Sequence, residues 1–364
     1  MAIKLSIGTA IYNIDEDFLR ANIEGTIKQL TDETELLLID DCSTNNSGEV
    51  CREYAAKYDH VRYVNMGKNG GLSRVRNRTI DEAAGKWICF ADGDDLFSDN
   101  FVETALRFCD TDYDIIIHER LKFTETKPDD QPCTVTELTE LPPNAGRELS
   151  ISCMCLDPNV AKDLALSSRA FYHAAWGALY KKDFLLKKDL RFPEGQKKAQ
   201  DSVFNTEAYF CAEKIAYLPH IMYYYRSNRQ GITRRYSKDL PVIVQSLVRH
   251  HMDCIQELYP DDPDVMDRFT KHRLMSNVID NMRLNIFHKD NPKPKKQRKQ
   301  EFLNYIDSEP YKTAISRFDA KSSGRQEWRL LVKLIRKKRF GMLDLFVGND
   351  TAFRIICGID RRLK

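Results

Sequence analysis

The chain reads as an α/β protein, a mostly parallel sheet with helices on both faces, followed by a helical C-terminal region. Three observations predict this. Apolar, β-rich runs alternate with amphipathic segments through the first 120 residues, the order that gives parallel strands joined by crossover helices. Those runs are continuously apolar, as strands covered on both faces require. From about Tyr236 onward the sequence turns helical and charged.

The elements follow in order. Residues 3–11 form the first strand. Residues 15–30 carry Phe18, Leu19, Ile23, Ile27 and Leu30 at helical spacing. Residues 35–39 are a short apolar strand that runs into Asp40-Asp41. A helix over 48–58, a strand over 61–65 and a helix over 72–84 come next. Residues 87–91 are another buried strand, ending in Asp92-Gly93-Asp94-Asp95. A helix over 100–109 and a strand over 113–118 complete the pattern. Residues 122–150 are polar, contain Pro128, Pro132, Pro142 and Pro143, and read as a long loop or insertion. A mixed segment spans 168–233. The helical region after it has a Lys/Arg-rich break at 289–299.

Composition narrows the function classes. Hydrophobic residues make up 42% of 364, enough for a core and too many for a disordered chain. A net charge of +2 gives no sign of a nucleic-acid partner. The charge is uneven: residues 321–364 hold 12 Lys/Arg against 4 Asp/Glu, a basic tail of the kind that meets an anionic surface. The ten cysteines show no disulfide or zinc spacing, so reduced thiols and a cytoplasmic location are expected. The first residues read as a strand with no secretory leader. No apolar run reaches the roughly 18–20 residues that span a bilayer.

In parallel α/β sheets ligands bind beyond the carboxyl ends of the strands, and each polar cluster sits at one of those ends. They are Thr9-Ala10-Ile11-Tyr12-Asn13, Asp40-Asp41-Cys42-Ser43, Asn69-Gly70-Gly71 with Arg76, and Asp92-Gly93-Asp94-Asp95. Taken singly, an Asp pair is more often a helix-capping turn, Gly-Gly more often a plain turn, and an acidic stretch a solvated loop. Together they suit a nucleoside diphosphate with a divalent ion. Tyr12 offers an aromatic face and Asp41 an acceptor for a uracil N3–H. Gly70-Gly71 at a helix start and Arg76 offer N–H groups and a cation for a diphosphate. Mg²⁺ or Mn²⁺ takes one or two carboxylates plus phosphate oxygens, and Asp92 and Asp94 stand ready to meet that demand.

This ordered set, Y-N, D-D-x-S, N-G-G-x-x-x-x-R-N and D-x-D-D, resembles the family-2 glycosyltransferases with the GT-A fold over about residues 3–233. Ala10 departs from the family's usual Pro. The resemblance implies that Ala10, Tyr12, Asp41, Asn69, Arg76, Asp92 and Asp94 bind a nucleotide sugar, with Asp94 the ligand of Mn²⁺ or Mg²⁺ and Asp92 nearer the ribose. Trp176-Gly177-Ala178-Leu179-Tyr180 and Arg191-Phe192-Pro193-Glu194-Gly195 are similar to later family segments. They lead to Gln200-Asp201, where the family has Glu-Asp, so Asp201 inherits the role of catalytic base. The alternative for Asp201 is a cap on the helix after it. Tyr223-Tyr224-Tyr225-Arg226 and Gly231-Ile232-Thr233 are similar to a segment that closes over the diphosphate, which makes Arg226 and Arg229 candidates. Trp176, with Tyr172 and His173, is a candidate acceptor subsite, although such clusters are more often core.

The implied reaction is inverting transfer from a nucleoside-diphosphate sugar, with uracil the expected base, to a hydroxyl of a glycan or glycolipid acceptor. Residues 1–235 would be the catalytic domain, with 1–120 on the nucleotide side and 150–235 on the acceptor side, and 236–364 a helical, basic region. A nucleotidyltransferase and a NAD-dependent dehydrogenase are disfavoured because the first strand lacks a Gly-rich phosphate loop. A non-catalytic glycan-binding or scaffold homologue would be expected to lose Asp94 or Asp201. In the tail, Trp328, Leu331, Val332 and Ile335 form a stripe beside Arg329, Lys333, Arg336 and Lys337. Such a helix lies on the inner face of the cytoplasmic membrane, or packs on the catalytic domain or on a second subunit.

Overall fold

A computed structural model of the chain describes residues 2–157, 159–227, 235–321, 323, 326–349 and 353. The chain forms two compact units, one of Met1–Cys153 and Val160–Asn228, the other of Met154–Asn159 and Arg229–Lys364.

The first unit is built on a nine-stranded sheet. Its strands are β1 (Leu5–Ile11), β2 (Thr34–Asp40), β3 (Val61–Asn65), β4 (Trp87–Asp92), β5 (Leu96–Phe97), β6 (Ile115–Phe123), β7 (Thr139–Glu140), β8 (Ala178–Lys181) and β9 (Ile215–Arg226). The spatial order is β3-β2-β1-β4-β8-β6-β9-β5, with β7 on β9. The first four strands are parallel, as their apolar runs predict. Beyond β4 the sheet becomes mixed: β8 is antiparallel to both β4 and β6, while β6 and β9 are parallel.

Both faces are covered, and β2 shows why its run is unbroken. Leu36 and Leu38 join one core with Leu19 and Ile23 of α1 (Glu16–Ile27) and Val50 of α2 (Ser47–Lys57). Leu37 and Ile39 join the opposite core with Val75 and Ile80 of α3 (Leu72–Glu82). Successive side chains of a strand point to opposite faces, so each β2 residue is claimed by a core. Helix α4 (Phe101–Phe108) lies with the first core and α5 (Ala145–Cys155) with the second. After a short α6 (Val160–Asp163), α7 (Lys182–Lys187) and α8 (Gln200–Cys211) complete the unit. The register sets Ala10 opposite Asp92 and Ile11 opposite Asp40, which brings the polar ends of three strands to one edge.

Two expectations change. The stretch 122–150 is not all loop, because β7 and the start of α5 lie in it. The basic break at 289–299 is shorter than its composition suggests, because α12 already begins at Lys295.

The second unit is helical. It has α9 (Leu240–Leu258), α10 (Pro263–Arg268), α11 (Met275–Asn281), α12 (Lys295–Ile306), α13 (Tyr311–Arg317), α14 (Arg329–Arg336) and α15 (Phe340–Val347). Wider, π-type turns at Phe269–Leu274 and Met282–Ile286 make one continuous helical run with α10 and α11. The tail stripe is inside this unit: Leu331, Val332, Leu334 and Ile335 are buried, and Trp328 packs near Phe318. That corrects the membrane reading of this stripe, since burial in its own unit leaves it nothing to offer lipid. No helix of the described residues is long and apolar enough to cross a membrane. The nine described cysteines are free thiols.

Candidate active site

The loop after β1 is held to the loop after β2. The Asn13 side-chain carbonyl accepts from the backbone N–H groups of Thr44 and Asn45 at 2.7 and 3.2 Å. Asn13 itself takes φ 50°, a left-handed turn that Asn tolerates. Between these anchors Tyr12 stands 49% exposed, an open aromatic face.

Asp41 is buried, and its carboxylate is occupied. One oxygen accepts the Gly70 N–H and the other the Gly71 N–H, both at 2.8 Å. The Asn69 side-chain amide donates to the Asp41 carbonyl at 3.0 Å. This corrects the expectation that Gly70 and Gly71 offer free N–H groups to a diphosphate: Asp41 has taken both. Gly71 precedes α3 at φ 85°, where a side chain would be strained. Each Asp41 oxygen keeps a further lone pair, so an acceptor for a base N–H remains.

The Asp92–Asp95 loop is fastened at almost every group. Gly93 N–H donates to the Ala10 carbonyl at 3.1 Å, which is the contribution of Ala10; its side chain is core. Asn22 of α1 donates to the Asp95 carbonyl at 2.8 Å. The Asp95 carboxylate accepts from Tyr223 Oη at 2.8 Å and from the Arg226 N–H at 2.6 Å. Burial pushes its pKa well up, and Asp92 and Asp94 add to that. Arg226 Nε donates to the Asp94 carbonyl at 2.8 Å, and its guanidinium lies over the rings of Phe18 and Phe123. The Asp94 carboxylate is different. It is half-buried, burial raises its pKa, and among the described residues its hydrogen bond is to its own backbone.

Arg76 is 2% exposed. It pairs with Asp92 at 3.0 Å and with Asp201 in a still closer contact, and its guanidinium lies over Phe192. The expectation that Arg76 faces a diphosphate is corrected, because both ends of its guanidinium hold carboxylates. Burial raises the pKa of Asp92, and Arg76 opposes that rise. Asp201 sits in the first turn of α8, behind Ala199 in a left-handed conformation. Its second oxygen accepts the Ala175 N–H at 3.1 Å. It is therefore aimed across the site at Arg76 and Ala175.

Trp176 is corrected as an acceptor residue. It is buried in a stack with Tyr223 at 4.7 Å and Phe171 at 5.3 Å, and Tyr172 is buried too. Arg229 and Gly231-Ile232-Thr233 lie outside the described residues. The sequence reading missed Tyr223 and Asp95, which together brace the acidic loop. Tyr223 was visible as part of the Tyr223-Tyr224-Tyr225-Arg226 segment, but nothing in that run pointed to a bond with Asp95. Asp95 was visible as the last acid of D-x-D-D.

Mn²⁺ or Mg²⁺ fits this donor set in one way. Among the described residues no three His, Cys, Asp or Glu side chains gather as a cage. Such ions beside a diphosphate need only one or two carboxylates. Asp94 is the carboxylate of the loop that no other residue claims, so it is the group that would hold the ion.

The family model described as glycosyl transferase family 2 matches residues 6–175. The chain is 31% identical over 273 residues to the uncharacterized glycosyltransferase YibD of Escherichia coli K12, covering 71% of this chain and 74% of that protein. It is 25% identical over 230 residues to the poly(ribitol-phosphate) β-N-acetylglucosaminyltransferase TarS of Staphylococcus aureus MW2, covering 63% of this chain and 36% of TarS. The crystal structure of S. aureus TarS 1-349 with UDP-GlcNAc superposes with a TM-score of 0.59 at 18% identity, over 95% of this chain and 90% of that one. At that identity the superposition speaks for the fold.

Proposed function

Because the chain belongs to glycosyltransferase family 2, we propose that it transfers a sugar from a UDP-sugar to a hydroxyl of a glycan or glycolipid, with inversion, using Asp201 as base and a divalent ion on Asp94. The observation that carries this reading is the division of labour among the carboxylates. Asp95 is consumed by structure, Asp41 shapes the Gly70-Gly71 turn and keeps lone pairs to spare, Asp201 is held by Arg76 and Ala175, and Asp94 takes no hydrogen bond from another described residue. The UDP-GlcNAc complex of the similar TarS supports the donor class.

The chemistry follows from the geometry. Tyr12 stacks on the base and Asp41 accepts from it. Arg76 and the Ala175 N–H hold both oxygens of Asp201, which fixes the orientation of the carboxylate. The acceptor hydroxyl gives its proton to Asp201 as its oxygen attacks the anomeric carbon from the face opposite the diphosphate. The C–O bond to the diphosphate breaks with its electron pair, leaving UDP, so a single displacement inverts the centre. When bound, the ion offsets the charge that gathers on the leaving diphosphate. Arg226 supplies a fixed cation beside the same loop.

The test is a thermal-shift screen of UDP-, GDP-, CMP- and TDP-sugars with Mn²⁺, followed by product analysis. UDP-sugars should raise the melting midpoint, and the product should carry the inverted anomeric configuration. A shift confined to another base would overturn the uracil assignment, and a retained anomer would overturn the role of Asp201.

A further inference from the structure

The basic face of α14 plays no part in the reaction above. Its apolar stripe is buried, but the cations lie along an open groove of about 590 Å³. Arg329, Lys333 and Lys337 stand at i, i+4 and i+8, and Lys321 lines the same groove. Phe318 and Val332, both buried, contribute apolar surface. Arg336 also lines it, but its guanidinium donates to the carbonyls of Ile315, Ser316 and Phe318. Among the described lining residues Asp319 is the single acid.

Some other cations of this unit are matched. Lys293 pairs with Glu301, Lys295 and Arg298 with Asp344, and Lys338 with Asp307. Among the described residues Lys321, Arg329, Lys333 and Lys337 have no such partner. Four unmatched cations along one concavity repel each other and attract a ligand with several anionic groups. Their spacing says which kind. Four residues of helix rise about 6 Å, so Arg329 and Lys333 repeat along α14 and Lys337 follows at its C-cap. A chain with an anion in every repeat of its backbone can register on that row. A lone phosphate meets one cation. A bilayer surface is too flat to enter a groove, and the stripe that would anchor it is buried.

We propose that this groove binds a linear, phosphodiester-linked glycan, a charged acceptor chain held by the helical unit. Calling that chain the acceptor rests on the transfer reading above; the binding itself does not.

The experiment is fluorescence anisotropy of the full chain with a labelled glycerol-phosphate oligomer, with neutral dextran as control. The wild type should bind the oligomer, more weakly as salt rises. The exposed pair Lys333→Glu/Lys337→Glu should lose about tenfold or more in affinity, since two phosphate contacts go. The equally charged reversal Lys187→Glu/Lys188→Glu, in the other unit, should change it by less than about twofold. Circular dichroism verifies that both variants fold. UDP release on the same samples separates the two readings, because intact turnover without oligomer binding sinks the groove alone. No wild-type binding at low salt, equal loss in both variants, or binding to phosphatidylglycerol vesicles that the oligomer cannot displace would each overturn the proposal.

Discussion

The ends of β2 and β4 carry similar acidic sequences and do different work. At β2, Asp40 bonds Ser43 and Tyr63, and Asp41 bonds Gly70 and Gly71. Every carboxylate oxygen there has a protein donor, and the acids shape the loops on either side. At β4, Asp92 is held by Arg76 and Asp95 by Tyr223 and Arg226, but Asp94 is left over. An acid whose oxygens are satisfied within the fold at least holds the loops around it in place. An acid kept half-buried with no hydrogen-bond donor from another described residue is costly, and a bound cation would offset that cost.

Substitutions can break this contrast. Asp94→Ala should reduce transfer by about 10³-fold or more, as loss of leaving-group stabilisation does, with melting unchanged; EDTA should do the same to the wild type. Sugar-transfer assays with a parallel melt check this, and a large fall in stability would place Asp94 with the structural acids. Asp201→Asn should cut turnover by about 10²–10⁴-fold while calorimetry with UDP and Mn²⁺ finds donor binding nearly intact. Arg76→Met strands Asp92 and Asp201 in a poorly hydrated site and should cost about 3–5 kcal/mol in urea unfolding. Asp41→Ala leaves the Gly70 and Gly71 N–H groups without acceptors. It should cost about 1–3 kcal/mol and weaken UDP binding, with Asp41→Asn milder because one oxygen remains.

An effect that appears only on acidification lies away from both strand ends. His118 on β6 is buried, and burial pushes its pKa down to about 4 from 6.5. As pH falls, the unfolded chain takes up that proton first. Its contribution is therefore complete above about pH 6.5 and lost on the way to 4, roughly 3 kcal/mol in all. The raised carboxyls of Asp92 and Asp95 act in the opposite sense and favour folding as pH falls. Comparing wild type with His118→Gln isolates the histidine: the variant should lose less stability between pH 7 and 4.5.

The first four strands and their helices were legible because β1, β2 and β4 are buried on both faces and so are rich in apolar residues. Tyr12, Asp41, Asp92 and Asp94 could be picked out because strand ends are where a parallel sheet puts its polar residues, and Asp201 through the family resemblance of Gln200-Asp201. What each one touches was not legible. Arg76 reads as a phosphate ligand until the fold brings Asp201 to it across 125 positions of chain. Trp176 reads as a sugar platform until Tyr223 and Phe171 close on both faces of its ring. The mixed half of the sheet was hidden for a related reason: β8 is four residues long, too short for a period to show. In the tail, the stripe predicted a buried face, but not what would bury it.

Helix α5 starts in the first unit, and its last residues, with those up to Asn159, belong to the second. There Arg273 donates to the Met154 carbonyl, Cys155 Sγ to the Val265 carbonyl, and Arg268 pairs with Asp157. The two units are thus interleaved along the gene and cannot be exchanged as modules by one crossover. A chimaera joined near residue 230 would inherit a six-residue piece of the foreign half's interior from the wrong parent. Recombination between relatives should succeed only with that piece transferred alongside, and in natural drift residues 154–159 should co-vary with residues 265–273 rather than with their neighbours in sequence.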